Sequence, residues 1–104
     1  MLITTIEQLP NQSFTPLGMV QGSTIQTKNI GRDITQGLKT IVGGELGAYT
    51  QMMDDARQIA INRMEQQARS LGADAIIGVR LSTSSIMQGA AEVVAYGTAV
   101  QFNG

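Results

Sequence analysis

Few residues in this sequence are equipped for chemistry. It contains no cysteine and no histidine, which removes the thiolate nucleophile, the soft-metal ligands and the commonest general base together. The most ligand-like group is Arg32-Asp33 with Glu45 and Tyr49, flanked by Ile30 and Ile34. A guanidinium beside two carboxylates and a phenol can grip a small polar molecule. The same charges can instead pair with one another where two subunits meet, and that is the expectation carried forward. An enzyme acting on a small substrate through Arg32, Asp33 and Glu45 is the alternative. Serine and threonine are plentiful, but only a lysine such as Lys28 or Lys39 could activate one, and no motif brings them together.

Metal ligation has equally little to draw on. Carboxylates can hold a hard cation, and Glu45, Asp54, Asp55 and Glu92 are the candidates. Asp54 and Asp55 are adjacent on a helical stretch, so they point in different directions and suit a solvated face. Of the internal methionines (Met19, Met52, Met53, Met64 and Met87), Met53 and Met64 fall on an apolar helical stripe, where packing accounts for them. Gly43-Gly44 ahead of a helix is the arrangement of an anion-binding N-terminus. Glu45 follows directly and would repel an anion while suiting the helix dipole, so a structural break is the better reading. Neither a metal nor a cofactor is identified by these residues.

Composition narrows the classes further. The chain has 104 residues, a net charge of −1 and 14% charged residues, which describes one domain with no basic stripe for nucleic acid. The aromatic residues are Phe14, Tyr49, Tyr96 and Phe102, too few for a base-stacking platform. The start, MLITTIEQLP, lacks the basic and apolar runs of a signal peptide, and no window approaches a membrane span. A cytoplasmic protein is expected. With little charge, 12 glycines and many Ala, Ser and Thr residues, the surface suits close packing against another molecule.

The elements that must position these residues centre on Gly43 to Gly72. Leu46, Tyr49, Met53, Ala56, Ala60, Met64, Ala68 and Leu71 recur in steps of three or four, which predicts one long helix. Glu65 and Arg69 add a favourable pair on its polar side, and Gly72 is placed to end it. Met1 to Thr5 is a short β-prone start. Phe14 to Thr27 reads as a strand, with Pro16, Gly18 and Gly22 marking an edge, bulges or close backbone contacts. Leu17, Met19 and Ile25 are assigned to one face of it. Lys28 to Val42 reads as a short or irregular helix, weakened by Gly31 and Gly37.

Two more strands follow, from about Asp74 to Ser84 and from Ala91 to Phe102. In the first, Ile77, Val79 and Leu81 are expected on one face, with Ile76, Gly78 and Arg80 on the other. The last strand is apolar or small on both faces, as a central strand is. That predicts an α+β, two-layer β-α-β-β domain whose antiparallel sheet has the order 1-3-2, with one long helix packed on it. One helix covers one face, so the Val94–Tyr96–Val100–Phe102 face is expected to lie open and to mark a subunit interface.

The runs NIGRDI at 29–34, VGGELGAYT at 42–50, LGADAIIGVR at 71–80 and AEVVAYGTAV at 91–100, with the long helix between them, resemble the YbjQ-type family. These are small bacterial and archaeal proteins catalogued as "putative heavy-metal-binding". The resemblance spans essentially all of residues 1–104. It implies a fold like the dodecin subunit and assembly into a ring, a homopentamer. The functional expectation is a non-enzymatic, ring-forming protein that binds a small ligand or metal ion between subunits, through Arg32, Asp33, Glu45 and Tyr49. Its partner is itself, with neither nucleic acid nor membrane involved.

Overall fold

The structure, a computed structural model, describes residues 1–27 and 44–104, without the side chains of residues 44–46, 48 and 49. The helix expected over Lys28–Val42 lies outside the described residues. In chain order the elements are β1 (Leu2–Ile3), β2 (Phe14–Thr27), α1 (Gly44–Ser70), β3 (Ala75–Met87) and β4 (Ala90–Phe102). The sheet has four strands in the order β1-β3-β4-β2. This corrects the expected three-stranded sheet of order 1-3-2. The long strands still pair antiparallel, with β4 between β3 and β2, but β1 adds a parallel edge beside β3.

That fourth strand has a local cause. Leu2 and Ile3 lie against Ala75 and Ile76, and the ladder runs on as Thr4 N–H donates to the Ile76 carbonyl at 3.0 Å. Gly78 then adopts φ +61°, a left-handed conformation that glycine takes without penalty. A one-residue bulge results, because Ile77 opposes Thr98 while Arg80, three residues on, opposes Tyr96. At the bulge Gly78 N–H donates to Ile6 and Val79 N–H to Thr4. Arg80 secures the same segment, donating to the Thr5 carbonyl at 3.0 Å and reaching the Glu7 carboxylate at 3.8 Å.

The bulges also overturn two expected face assignments, since one extra residue moves every later side chain to the other face. Ile76 and Val79 share the core under the helix, whereas Ile77 belongs to a second cluster with Ala75 and Val100. On β2 an irregularity between Pro16 and Gly18 separates Leu17, which packs on the helix-side core, from exposed Met19.

α1 lies across the sheet on a stripe of Ala56, Ala60, Met64 and Ala68, all fully buried. Three of the four are alanine, so the helix backbone itself comes close to the strands. At Gly22 the approach leaves no room for a side chain: a Cβ there would run into the Met64 nitrogen and the Ala60 carbonyl oxygen and sit 2.7 Å from the Arg63 carbonyl carbon. The helix ends as anticipated. Ala73 N–H donates to Ala68 and Gly72 N–H to Arg69, with Gly72 at φ +82°, the paired bonds of a Schellman cap. Glu65 and Arg69 form their ion pair at 2.6 Å, worth only a few tenths of a kcal/mol at the surface.

The far side of the sheet is partly covered, which the sequence reading did not anticipate. Leu9 and Phe14 pack over Ala75, Ile77 and Val100, so Val100 is buried rather than open. The chain between β1 and β2 therefore acts as a strap across one end of this face. No described residue covers its other end.

Candidate functional surface

The four residues singled out in the sequence are not brought together by anything described. Arg32 and Asp33 lie outside the described residues. Glu45 and Tyr49 fall on the first two turns of α1, four positions apart and hence on one side of the helix, but their side chains lie outside the description. The cluster is neither assembled nor dispersed by the structure.

What the described residues do form is an open patch on the strap side of the sheet. Registers place it residue by residue. Met19, Gln21, Ser23 and Ile25 of β2 oppose Thr98, Tyr96, Val94 and Glu92 of β4. Across β4, Arg80, Ser82 and Ser84 oppose Tyr96, Val94 and Glu92. Because side chains alternate, these rows share the face away from α1. Met19 is 72% exposed, Ile25 57% and Tyr96 39%, while Val94 and Thr98 are half-buried. Tyr96 is thus flanked by Arg80 on one side and Gln21 on the other, an apolar ring between polar neighbours. Val94 and Tyr96 were legible as part of this face. Met19 and Ile25 were assigned to one face of β2 together with Leu17, and the irregularity between Pro16 and Gly18 is what separates Leu17 from them.

The carboxylates are spread out and mostly engaged. Asp74 accepts from the Phe102 N–H at 2.8 Å, Asp55 from the Gln51 amide at 2.9 Å, and Asp54 pairs with Arg57. Glu65 is held by Arg69 and Glu7 faces Arg80. Asp54 and Asp55 thus take different partners. Among the described residues, no three Asp, Glu, His or Cys side chains come close enough to hold a metal. Met64 is fully buried and Met53 packs on the same core, so both serve as packing. No helix among the described residues is long and apolar enough to cross a membrane.

The described residues define a two-layer α+β arrangement with one long helix and a mixed four-stranded sheet, one face of which they leave partly open. The chain belongs to the YbjQ family: the family model described as "Putative heavy-metal-binding" matches residues 1–103. It is similar to UPF0145 proteins from Clostridium novyi, 54% identical and covering 97% of this chain and 98% of that one, and from Hahella chejuensis, 56% identical and covering 96% and 97%. A UPF0145 protein of Thermus thermophilus is 50% identical, covering 96% of this chain and 89% of its own. Among solved structures, a Pediococcus pentosaceus protein of unknown function, assigned to the DUF74 family, superposes with a TM-score of 0.66. It is 23% identical over 99% of this chain and 98% of that one, a likeness of fold.

The donor set does not fit the metal in the family's description. A soft heavy-metal ion is held by thiolate or imidazole, and the whole chain has neither. No step of chemistry is therefore derived through such an ion.

Proposed function

We propose that this protein is a non-enzymatic binding protein whose copies assemble into a ring and hold a small ligand or ion between subunits. Five copies, each a dodecin-like subunit formed by residues 1–104, is the assembly that the family resemblance implies. The observation that carries assembly is the open sheet face, with Met19, Ile25 and Tyr96 exposed side by side. The described residues make two layers, one sheet and one helix, and among them no third layer covers that face. A bare apolar strip bounded by polar residues is what an interface looks like before its partner arrives.

Assembly also supports the binding half of the reading. One carboxylate per subunit becomes several around a ring axis, and such a site would be oxygen-only, suited to Ca²⁺, Mg²⁺ or Mn²⁺. Arg32, Asp33, Glu45 and Tyr49 are the residues proposed to meet a ligand at the boundary, in the cytoplasm and without nucleic acid or membrane. Native mass spectrometry of tag-free protein, purified without added metal, tests both halves because it reports stoichiometry and retained ligand together. A single homo-oligomeric species is the expected result. A stable monomer at micromolar concentration overturns the assembly, and a ring of another size overturns only the number. If Glu45→Gln abolishes turnover of a small substrate while leaving assembly and affinity unchanged, the enzyme reading through Arg32, Asp33 and Glu45 replaces this one.

A further inference from the structure

The two edges of the sheet are finished differently. On the β2 edge, outward backbone groups are occupied by the helix. Gln67 Oε1 accepts from the Gln21 N–H at 2.7 Å, and Arg63 Nη1 donates to the Ser23 carbonyl at 2.7 Å. A strand arriving there must displace two side chains, one of them charged, which is how native edges refuse partners. On the opposite edge, β1 and the residues after it bond to β3 only as far as Val79. Beyond that, no described residue adds a strand to the outer side of β3. Leu81 to Met87 reads LSTSSIM, without a charge or a proline, and every residue of it is exposed.

The registers also say which groups point outward. Arg80, Ser82 and Ser84 oppose Tyr96, Val94 and Glu92, and Val79 N–H already donates away from β4, to Thr4. By alternation, Leu81, Thr83 and Ser85 turn their N–H and C=O groups away from β4. We propose that this edge pairs antiparallel with the same edge of a second copy of the chain, about a two-fold axis at Ser84. Up to the irregularity after Ser85 the stretch is its own complement in that register: Ser84 meets Ser84, and Thr83 meets Ser85 on either side of the axis. Thr83 and Ser85 both point outward, so they exchange backbone bonds, and no charge meets a like charge. A foreign peptide would find the same backbone groups, but an exposed hydroxyl-rich strand has none of the side-chain pockets that select one. The irregularity between Ser85 and Met87 keeps the ladder short, so the contact depends on concentration. It is separate from the open face and does not rest on the ring reading, since it joins two single copies or two rings alike.

The chain's lack of cysteine makes the test clean. In a two-fold pair, the Cβ atoms of the two residues at position 84 lie about 4.5–5.5 Å apart, close enough for Ser84→Cys to form a disulfide after a small adjustment. Under mild oxidation Ser84→Cys should give a linked dimer roughly tenfold faster or more than Gln66→Cys on the exposed helix face, as for thiols held at raised effective concentration. Adding Thr83→Lys to Ser84→Cys places like charges across the axis and should return the rate to that of the control, with the circular dichroism spectrum unchanged. Equal rates for Ser84→Cys and Gln66→Cys, or no effect of Thr83→Lys, overturn the edge contact. Native mass spectrometry separates this from the ring: a ring whose Ser84→Cys form does not link refutes the edge alone, and a linked dimer without a ring supports the edge while refuting the ring.

Discussion

Replacing Gly22 by alanine should be among the most damaging single-methyl additions this chain can suffer. The new Cβ would collide with the Met64 nitrogen and the Ala60 oxygen and meet the Arg63 carbonyl carbon at 2.7 Å. All three belong to the backbone of α1, so no side chain can rotate out of the way. Restoring ordinary contact of about 3.4 Å to the Ala60 oxygen requires a shift of about 1 Å between helix and sheet. A radial gap of that size forfeits about a quarter to a half of each dispersion contact it opens, here those of Ala56, Ala60, Met64 and Ala68 with the strands. Overpacking costs about 1–3 kcal/mol, and a rigid backbone neighbour puts this case at the top, about 3 kcal/mol. At about 4–8 °C per kcal/mol for a domain of this size, the melting temperature should fall by about 12–24 °C. Gly97→Ala should cost less, because two of the three nearest atoms at 2.9–3.0 Å are side-chain methyls of Ile76 and Val79. Gly47→Ala, in the helix with nothing within 4 Å, should stabilise by about 1 kcal/mol. Thermal melts by circular dichroism, at equal subunit concentration because assembly shifts the midpoint, check the ranking. A Gly22→Ala melt within about 4 °C of wild type would mean that helix and sheet are not packed backbone to backbone.

Other expectations follow from the same geometry. Met64→Asp places a carboxylate at a fully buried position and should unfold the chain or cost about 4 kcal/mol or more, whereas Gln66→Asp, exposed on the same helix, should stay within about 0.5 kcal/mol; urea titrations compare them. Tyr96→Asp should leave the secondary structure intact and lower the mass of the assembly in light scattering, and an unchanged mass would remove the open face from the interface. Tag-free protein should bind Zn²⁺ or Cu²⁺ no more tightly than about micromolar, for want of thiolate and imidazole. Calorimetry that finds nanomolar affinity would show the ligand argument to be wrong.

How much of the fold was legible depended on whether a feature is set by local pattern or by relative register. The helix was legible because its stripe, its Glu65–Arg69 pair and the Gly72 terminus are all encoded within a turn or two of chain. The central place of β4 was legible because only a strand flanked on both sides is small or apolar on both faces. β1 was not placed, because a two-residue strand carries no periodicity and owes its position to partners more than 70 positions away, Ala75 and Ile76. The face assignments of Leu17 and Ile77 failed for a related reason. A single extra residue at Gly18 or Gly78 reverses the alternation, and glycine announces that a bulge is allowed without saying that it is used.

The candidate site was less legible, and the cause lies in the chemistry. A cysteine cluster or a histidine pair at metal-ligand spacing identifies itself in one chain because the side chains have few other uses. Arginine, aspartate, glutamate and tyrosine do not: at Arg80 and Glu7 an opposite-charge pair anchors the N-terminal strap, and at Asp54 and Arg57 it decorates the surface of the helix. Sequence alone could not distinguish Arg32-Asp33 and Glu45 from those uses. A site completed by a neighbouring subunit would be harder still to read, because half of its partners sit at no fixed spacing in the chain. The open face escapes this difficulty. Met19, Ile25, Val94 and Tyr96 are apolar residues on one side of one sheet, and apolar area is costly to leave in water whatever its eventual partner. For this chain the open face is therefore easier to read than the charged residues, and the proposed assembly rests on it rather than on them.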